Sequence, residues 1–277
     1  MRGVQMKVAV NYSVEAKKLL SSSAIEIDLF KCPDFSMELI QDGTEIKPSY
    51  IHFGLKAGND QMKNIDWGLI RDLQSQTQTP YINVHAVAMA KHYPEYDVET
   101  SQPSHISEMT DAILRDIEIL DGEIGAEKVI IENVICRGQG ENMMKAAIDP
   151  EVLSNIVKKT GCGFLLDTAH AQMSSKSLGF DVKEYISRLP VDQLKELHIT
   201  GIQPDSKGRL RDSMPMTEED WELAFWVLKK IKNGEWQEPW VAALEYGGVG
   251  PAFEWRSDEA VLAKQVPEFY EMVKGAR

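Results

Sequence analysis

The sequence predicts one α/β domain spanning residues 1–277, a (β/α)8 TIM barrel, from its length, its apolar content and its alternation of strands with helices. A chain of 277 residues is long for a compact domain but normal for such a barrel. Hydrophobic residues make up 43% of the chain, which is enough for a large core. Short β-rich runs alternate with helical patterns, and this alternation predicts a parallel sheet.

Eight β-rich runs mark the predicted strands. Eight strands with intervening helices predict a closed barrel. Segment 28–50 reads as more loop than helix, so a doubly wound open sheet is the alternative. The runs are KVAVN (7–11), AIEIDLF (24–30), YIHFG (50–54), YINVHA (81–86), KVIIEN (128–133), GFLLD (163–167), LKELHIT (194–200) and WVAALEY (240–246).

Six segments between these runs, or after the last, have the periodicity of helices. Two of them carry clear start signals. Ser13 is a favourable N-cap for the first, and Thr217 with Asp220 three residues later is close to a capping box. The predicted helices are 13–20, 64–76, 104–125, 149–161, 217–234 and 257–275.

The charge and the cysteine content of the chain indicate which binding partners and which cellular compartment to expect. Lys and Arg total 30 against 43 Asp and Glu, and a net charge of −13 disfavours nucleic acid as a partner. The three cysteines form no C-x-x-C pair, which indicates reduced thiols. The first residues lack the apolar stretch of a signal peptide, and no window is apolar enough to span a membrane. We therefore expect a cytoplasmic protein with no membrane partner.

Imidazole and carboxylate side chains stand at the ends of six predicted strands, where a (β/α)8 barrel carries its chemistry. Taken singly, a strand-end His could be a packing residue, Asp167 could cap the following helix, and Glu132 could bind backbone amides. Taken together, imidazole and carboxylate without thiolate are typical ligands of Zn, Fe or Mn. The set comprises His52, His85, Glu132, Asp167, His198 and Glu245, and His170 follows Asp167 by three residues.

Five short motifs in the middle of the chain carry a resemblance to known enzymes. They are HFGLKAGND (52–60), NVHAVAM (83–89), IIENV (130–134), FLLDTAH (164–170) and ELHITGI (196–202). In this order they resemble the xylose-isomerase-like TIM barrels, which include sugar isomerases and epimerases, endonuclease IV and the multinuclear non-heme iron-dependent oxidative (MNIO) enzymes. The resemblance is closest to the MNIO family, whose motifs include H-G-x-G-L-S-x-G, L-L-L-D-x-x-N and E-I-H-L-A-G-H.

The resemblance implies metal sites that share one carboxylate. By similarity to endonuclease IV, a first ion would bind His52, His85 and Glu132. A second ion would bind Glu132, Asp167, His198 and Glu245. Iron is the favoured metal by this resemblance, and zinc or manganese are the alternatives.

A third ion site is implied by the same resemblance but is incomplete here. It would use His170 and Asp212. Met214 replaces the His of a downstream D-x-H motif, and Ile202 replaces the second His of H-x-A-G-H. A thioether binds hard or borderline divalent ions poorly, so we expect two strong sites and a weak or empty third. His170 could then donate or accept a proton instead.

The resemblance to the MNIO family implies an iron-dependent enzyme that activates oxygen to modify a cysteine-bearing peptide, often with a partner protein that presents the substrate. The alternative is a single-metal sugar isomerase or epimerase, in which Glu132 and Glu245 would act as acid and base on a small-molecule substrate. An endonuclease IV-like phosphodiesterase is the third choice, because the negative net charge opposes it. In all three, segment 138–141 resembles a mobile loop over the site.

Overall fold

The computed structural model describes residues 6–138, 141–206, 208–250 and 253–275. Its strands, numbered in chain order, are β1 (Lys7–Asn11), β2 (Leu29–Pro33), β3 (Ser49–His52), β4 (Lys56–Ala57), β5 (Ile82–Ala86), β6 (Val129–Glu132), β7 (Arg137–Gly138), β8 (Glu141–Asn142), β9 (Gly163–Asp167), β10 (Leu194–Ile199), β11 (Gly201–Pro204), β12 (Leu210–Met214) and β13 (Val241–Leu244).

Helices follow most of the strands, and their caps are those expected from the sequence. The Ser13 side chain accepts a hydrogen bond from Ala16 N, and Thr217 and Asp220 form a reciprocal capping box. The helices are α1 (Val14–Ser21), α2 (Met37–Thr44), α3 (Trp67–Gln76), α4 (Pro103–Ile124), α5 (Lys145–Ile148), α6 (Pro150–Thr160), α7 (Thr168–Leu178), α8 (Val182–Arg188), α9 (Glu218–Lys232) and α10 (Glu259–Lys274).

The chain divides into two compact units, and the first comprises Met1–His52, Asp72–Thr79 and Lys195–Arg277. Its parallel strands follow the order β3-β2-β1-β13-β10. The rings of His52 on β3 and His198 on β10 have centroids 5.1 Å apart. Because these strands lie at opposite ends of the order, the sheet of this unit curls until its outer strands face each other.

The second unit comprises Phe53–Arg71 and Pro80–Leu194. Its parallel strands follow the order β4-β5-β6-β9. Every residue of β6 and β9 is buried, as expected for parallel strands covered on both faces. The register pairs His85 with Glu132, so these two side chains leave neighbouring strands at the same level.

All eight predicted strands are present, but the second was misplaced. The sequence predicts it at 24–30, whereas β2 begins at Leu29. Asp28 precedes the strand and binds Val8 through both its backbone N–H and its carboxylate, at 2.9 and 2.7 Å. Ladder pairing with β1 then begins at Leu29, opposite Ala9.

Segment 28–50, expected to be mostly loop, contains α2. The Ser36 side chain accepts a hydrogen bond from Leu39 N at 3.4 Å and so caps the helix. Gly43, which weakens the helical signal in the sequence, lies where the packing is tight. A Cβ at Gly43 would lie 3.1 Å from the Tyr12 ring.

The sequence analysis also made predictions about a loop, about membrane spans and about the number of domains. The predicted loop at 138–141 includes residues 139 and 140, which lie outside the described residues. Among the helices that the structure describes, none is both long enough and apolar enough to cross a bilayer. The assignment of residues 1–277 to a single domain stays a prediction.

Candidate metal centre

The second unit gathers four of the predicted site residues at or just after the carboxyl ends of its strands. His85 lies on β5 and Glu132 ends β6, while Asp167 ends β9 and His170 lies in the first turn of α7. Glu132 and Asp167 are almost fully buried. Glu132, Asp167 and His170 each offer one ligand atom within 4.8 Å of the others.

The two ring nitrogens of His85 have different surroundings. Nδ1 lies 3.2 Å from the carbonyl oxygen of Leu55, which can only accept a hydrogen bond. Nδ1 therefore carries a proton, and Nε2 faces Glu132 Oε2 at 3.3 Å. Two ligand atoms about 2.0–2.1 Å from a tetrahedral ion lie about 3.3 Å apart, so this nitrogen–oxygen pair has the spacing of two metal ligands.

His170 is oriented through its Nδ1 atom. This nitrogen lies 2.8 Å from the carbonyl oxygen of Asn133, which fixes the proton on Nδ1. Glu132 Oε1 is 3.4 Å from the same nitrogen. Because Nδ1 is committed to a hydrogen bond, Nε2 is the ring nitrogen left for proton transfer or for metal binding.

Asp167 caps a helix, as the sequence analysis allowed, and Asn133 binds the backbone of Asp167. Asp167 Oδ1 accepts a hydrogen bond from His170 N at 2.8 Å, so this carboxylate does cap α7. The backbone amides near β6 are bound by the Asn133 side chain, which accepts from Asp167 N and donates to Asp167 O, both at 2.9 Å.

The first unit gathers His52, His198 and Glu245. His198 lies on β10 and is fully buried, while Glu245 directly follows β13 and donates its backbone N–H to Ile199 O at 2.9 Å. His198 Nε2 lies 2.8 Å from Glu196 Oε1, and its Nδ1 faces Glu245 Oε2 at 3.7 Å. An imidazole with one committed nitrogen and a second nitrogen facing a carboxylate thus occurs in both units.

Glu245 is held as a carboxylate by a buried ammonium. Lys31, on β2, forms an ion pair with Glu245 Oε1 and is only 4% exposed. Burial acts to raise the pKa of Glu245, but the charges of Lys31, His198 and His52 outweigh it and hold that pKa well below its usual range. For His198, burial and Lys31 act to lower the pKa, and the carboxylates of Glu245 and Glu196 raise it on balance.

Asp212 lies beside an arginine. It lies on β12 and pairs with Arg256, whose Nη1 is 2.7 Å from Asp212 O and 3.6 Å from Asp212 Oδ1. Within the part of the chain that the structure describes, Asp212 belongs to no group of three metal-capable side chains. An arginine beside this carboxylate competes with a cation for it, and the weakness of a third site stays a prediction.

Sequence reasoning missed three residues of these clusters, Lys31, Glu196 and Asn133. Glu196 could have been found, because it precedes His198 by two residues and therefore points to the same face of β10. Lys31 stands among buried residues in a strand, which is a signal, but its partner lies 214 residues away. The role of Asn133 depends on the register of β6 against β9 and has no local signal.

The donor set fits a divalent transition metal. Imidazole nitrogens and carboxylate oxygens are the ligands that Zn, Fe and Mn share, and no thiolate is in either group. Where an imidazole lone pair faces a carboxylate oxygen, a cation must lie between them, either a proton or a metal ion. The role of each predicted ligand stays a prediction, including the sharing of Glu132 by two ions.

One family model matches most of the chain. The model described as "RiPP precursor modification enzyme MbnB/TglH/ChrH" matches residues 71–243. Among curated proteins, the chain is 37% identical over 86 residues to a UPF0276 protein of Bordetella pertussis. That match covers 29% of this chain and 30% of the relative, so the chain spans less than a third of the curated protein it matches.

Solved structures show the fold. The 3-keto-D-glucoside 4-epimerase YcjR from E. coli aligns with a TM-score of 0.59 at 12% identity, covering 98% of this chain and 100% of the epimerase. A xylose isomerase-like TIM barrel/4-hydroxyphenylpyruvate dioxygenase fusion protein aligns with a TM-score of 0.57 at 13% identity, covering 95% of this chain and 42% of the fusion protein. The predicted xylose-isomerase-like TIM-barrel fold is therefore confirmed.

Proposed function

The chain belongs to the family of RiPP precursor modification enzymes MbnB/TglH/ChrH, and from this premise we propose that it is an iron-dependent enzyme that oxidatively modifies a peptide precursor. The observation that carries the proposal is the repeated arrangement of an oriented imidazole against a carboxylate, His85 with the buried Glu132 and His198 with the half-buried Glu245. Two such pairs in one chain support two metal ions.

The residues that would hold the metal are the six strand-end residues predicted from the sequence. They are His52, His85, Glu132, Asp167, His198 and Glu245. Bound iron would supply redox chemistry with dioxygen, which no side chain of the protein can provide. Asn133 and Leu55 fix the tautomers of His170 and His85 through their carbonyl oxygens.

His170 is proposed to move a proton rather than to bind metal. Its Nδ1–H is held by the Asn133 carbonyl, so Nε2 is the nitrogen that can accept a proton from the substrate. The ring is 8% exposed, so it is shielded from bulk solvent. A cysteine-bearing peptide is the proposed substrate, and a partner protein that presents it is part of the same proposal.

A single-metal sugar isomerase or epimerase is the second candidate, because the fold is shared with a sugar epimerase. That reaction needs two carboxylates that alternately donate and accept a proton. The Lys31 ion pair keeps Glu245 ionised, which makes Glu245 a poor proton donor. This contact therefore favours the oxidative reaction over epimerisation.

Metal stoichiometry and reaction products together test the proposal. Metal-free protein is titrated with Fe(II) without oxygen, and we expect two tight equivalents per chain. The loaded protein is then exposed to air with a mixture of cysteine-bearing peptides or with a mixture of ketohexoses, and products are read by mass spectrometry and sugar chromatography. A mass change in a peptide is expected. A single tight equivalent with a new sugar epimer would move the assignment to the isomerase.

A further inference from the structure

Beneath the His52 and His198 rings lies a second layer of buried polar side chains. Residues two apart on a strand point to the same face, so Tyr50 lies below His52 on β3, and Glu196 lies below His198 on β10. Tyr50 is 1% exposed and Glu196 is 4% exposed. A buried carboxylate at this depth requires a specific partner, because an isolated one is strongly destabilising.

The partner of Glu196 is His198. The 2.8 Å contact joins Glu196 Oε1 to His198 Nε2. An ionised carboxylate can only accept, so the proton of the imidazole lies on Nε2. The other nitrogen, Nδ1, is then the atom directed at Glu245 Oε2, 3.7 Å away. Glu196, which lies below the ring, therefore determines which nitrogen of His198 carries the proton.

We propose that Glu196 is a positioning residue that fixes the Nε2–H tautomer of His198 and thereby presents Nδ1 to a metal ion. The inference rests on the proposed function, in which His198 is a ligand. Histidine ligands commonly donate their second N–H to a carboxylate, which sets the ring orientation and raises the basicity of the ligating nitrogen.

A direct ligand role for Glu196 is the competing explanation, because His52, Glu196 and His198 also offer ligand atoms within 4.8 Å of one another. The depth of Glu196 argues against it. It lies two residues below His198, about 6.6 Å further from the carboxyl end of the strand, where such barrels carry their chemistry. Glu196 also interacts with Tyr50, in the same lower layer. Burial is the largest cause of the raised pKa of Tyr50, and the charge of Glu196 is the next.

The first test reads the tautomer in metal-free protein. Long-range ¹H–¹⁵N spectra of ¹⁵N-histidine-labelled protein at pH 8 distinguish protonated from unprotonated ring nitrogens, and His198→Asn identifies the His198 signals. We expect a proton on Nε2, whether or not Nδ1 is also protonated. A proton on Nδ1 alone would overturn the proposal, because Nε2 and Glu196 would then form the ligand pair.

The second test reads metal affinity with Co(II) alone as the probe, in competition with a chelator. We expect Glu196→Ala to weaken one Co(II) equivalent about 10–100-fold and to leave the other unchanged. Glu196→Gln keeps an acceptor oxygen and should lose less. Glu268→Ala, the same change on an exposed position of α10, is the matched control and should alter neither equivalent.

The outcomes separate the positioning role from the proposed function. Unchanged Co(II) affinity in Glu196→Ala, with only a lower melting temperature, would show a structural role and overturn the proposal. Wild-type protein that binds no Co(II) but shows the Nε2–H tautomer would overturn the proposed function, and the positioning role with it. Loss of the tautomer with normal Co(II) binding would overturn the role of Glu196 alone.

Discussion

His85 Nε2 lies 3.3 Å from Glu132 Oε2, across the register pair that joins β5 to β6. The distance follows from the backbone, because partners on neighbouring parallel strands leave the sheet side by side. The carbonyl of Leu55 then selects which nitrogen faces the carboxylate. A pair of candidate metal ligands is thus positioned by strand register and by one backbone hydrogen bond.

Glu132→Gln should remove most of the bound metal. The Glu132 carboxylate is 1% exposed and faces the imidazoles of His85 and His170, and an amide offers weaker donation and no charge. Removing a residue that hydrogen-bonds a metal ligand costs about 10–100-fold in metal affinity. Removing the carboxylate of Glu132, which is a proposed ligand itself, should therefore cost at least about tenfold. Metal per chain, measured by plasma mass spectrometry, should also fall more than in His52→Ala. Equal losses in the two variants would contradict a central role for Glu132.

His170→Ala should keep its metal. The Nδ1 atom of His170 is occupied by the Asn133 carbonyl, and we assign the remaining nitrogen, Nε2, to proton transfer. We expect near-normal metal content with turnover reduced about 10²–10⁴-fold once a substrate is in hand. A metal loss as large as that of Glu132→Gln would instead make His170 a ligand.

Lys31→Met should destabilise the metal-free protein. It leaves the Glu245 carboxylate without its buried cation, and breaking such a pair costs about 3 kcal/mol or more. Lys63→Met is the matched control, because Lys63 and Asp60 form an exposed pair worth less than about 1 kcal/mol. Urea unfolding measures both, and equal losses would contradict the role of the buried pair.

The stability lost in Lys31→Met should depend on pH. The folded pKa of Glu245 is depressed, so its pairing stabilises the fold above the unfolded pKa of about 4.3 and is lost as pH falls through the folded value. The difference in unfolding free energy between wild type and Lys31→Met should therefore be full near pH 7 and shrink below about pH 4. A difference that is constant from pH 7 to pH 3 would show that the pair is not responsible.

The cysteines should differ in reactivity. Burial raises the pKa of Cys32 to about 12 and also raises that of Cys162, whereas Cys136 is half-buried. At pH 8, a thiol with a pKa near 12 is about 10⁻⁴ ionised, and only the thiolate reacts. Iodoacetamide should therefore label Cys136 first in folded protein, as mass spectrometry of peptides would show. Labelling of Cys32 at the same rate would contradict its burial.

Local patterns in the sequence predicted most of the fold and indicated the candidate ligands, whose role stays a prediction. The strand Gly163–Asp167 was predicted at its observed limits, because an apolar run bounded by Gly and Asp has few other solutions. The capping box at Thr217 was likewise encoded within four residues. Strand-end position was enough to choose His85, Glu132 and His198.

Contacts between distant segments could not be predicted from those patterns. The ion pair of Lys31 with Glu245 joins β2 to the end of β13, and nothing near either residue specifies the other. The start of β2 depends on Asp28 binding Val8, which is a contact with another strand. Which nitrogen of each imidazole is committed also depends on such contacts, so the orientation of the ligands came only from the structure.

Anomalous diffraction above and below the iron edge would show directly whether each imidazole–carboxylate pair binds iron. The crystals are grown from protein purified without oxygen from iron-supplemented cells. We predict two iron peaks per chain. One lies between His85 Nε2 and Glu132 Oε2, and the other lies between His198 Nδ1 and Glu245 Oε2. Each peak should be roughly 2.0–2.3 Å from both atoms of its pair. Ordered crystals of metal-replete protein with no peak at either pair, and with the imidazoles hydrogen-bonded directly to the carboxylates, would contradict it.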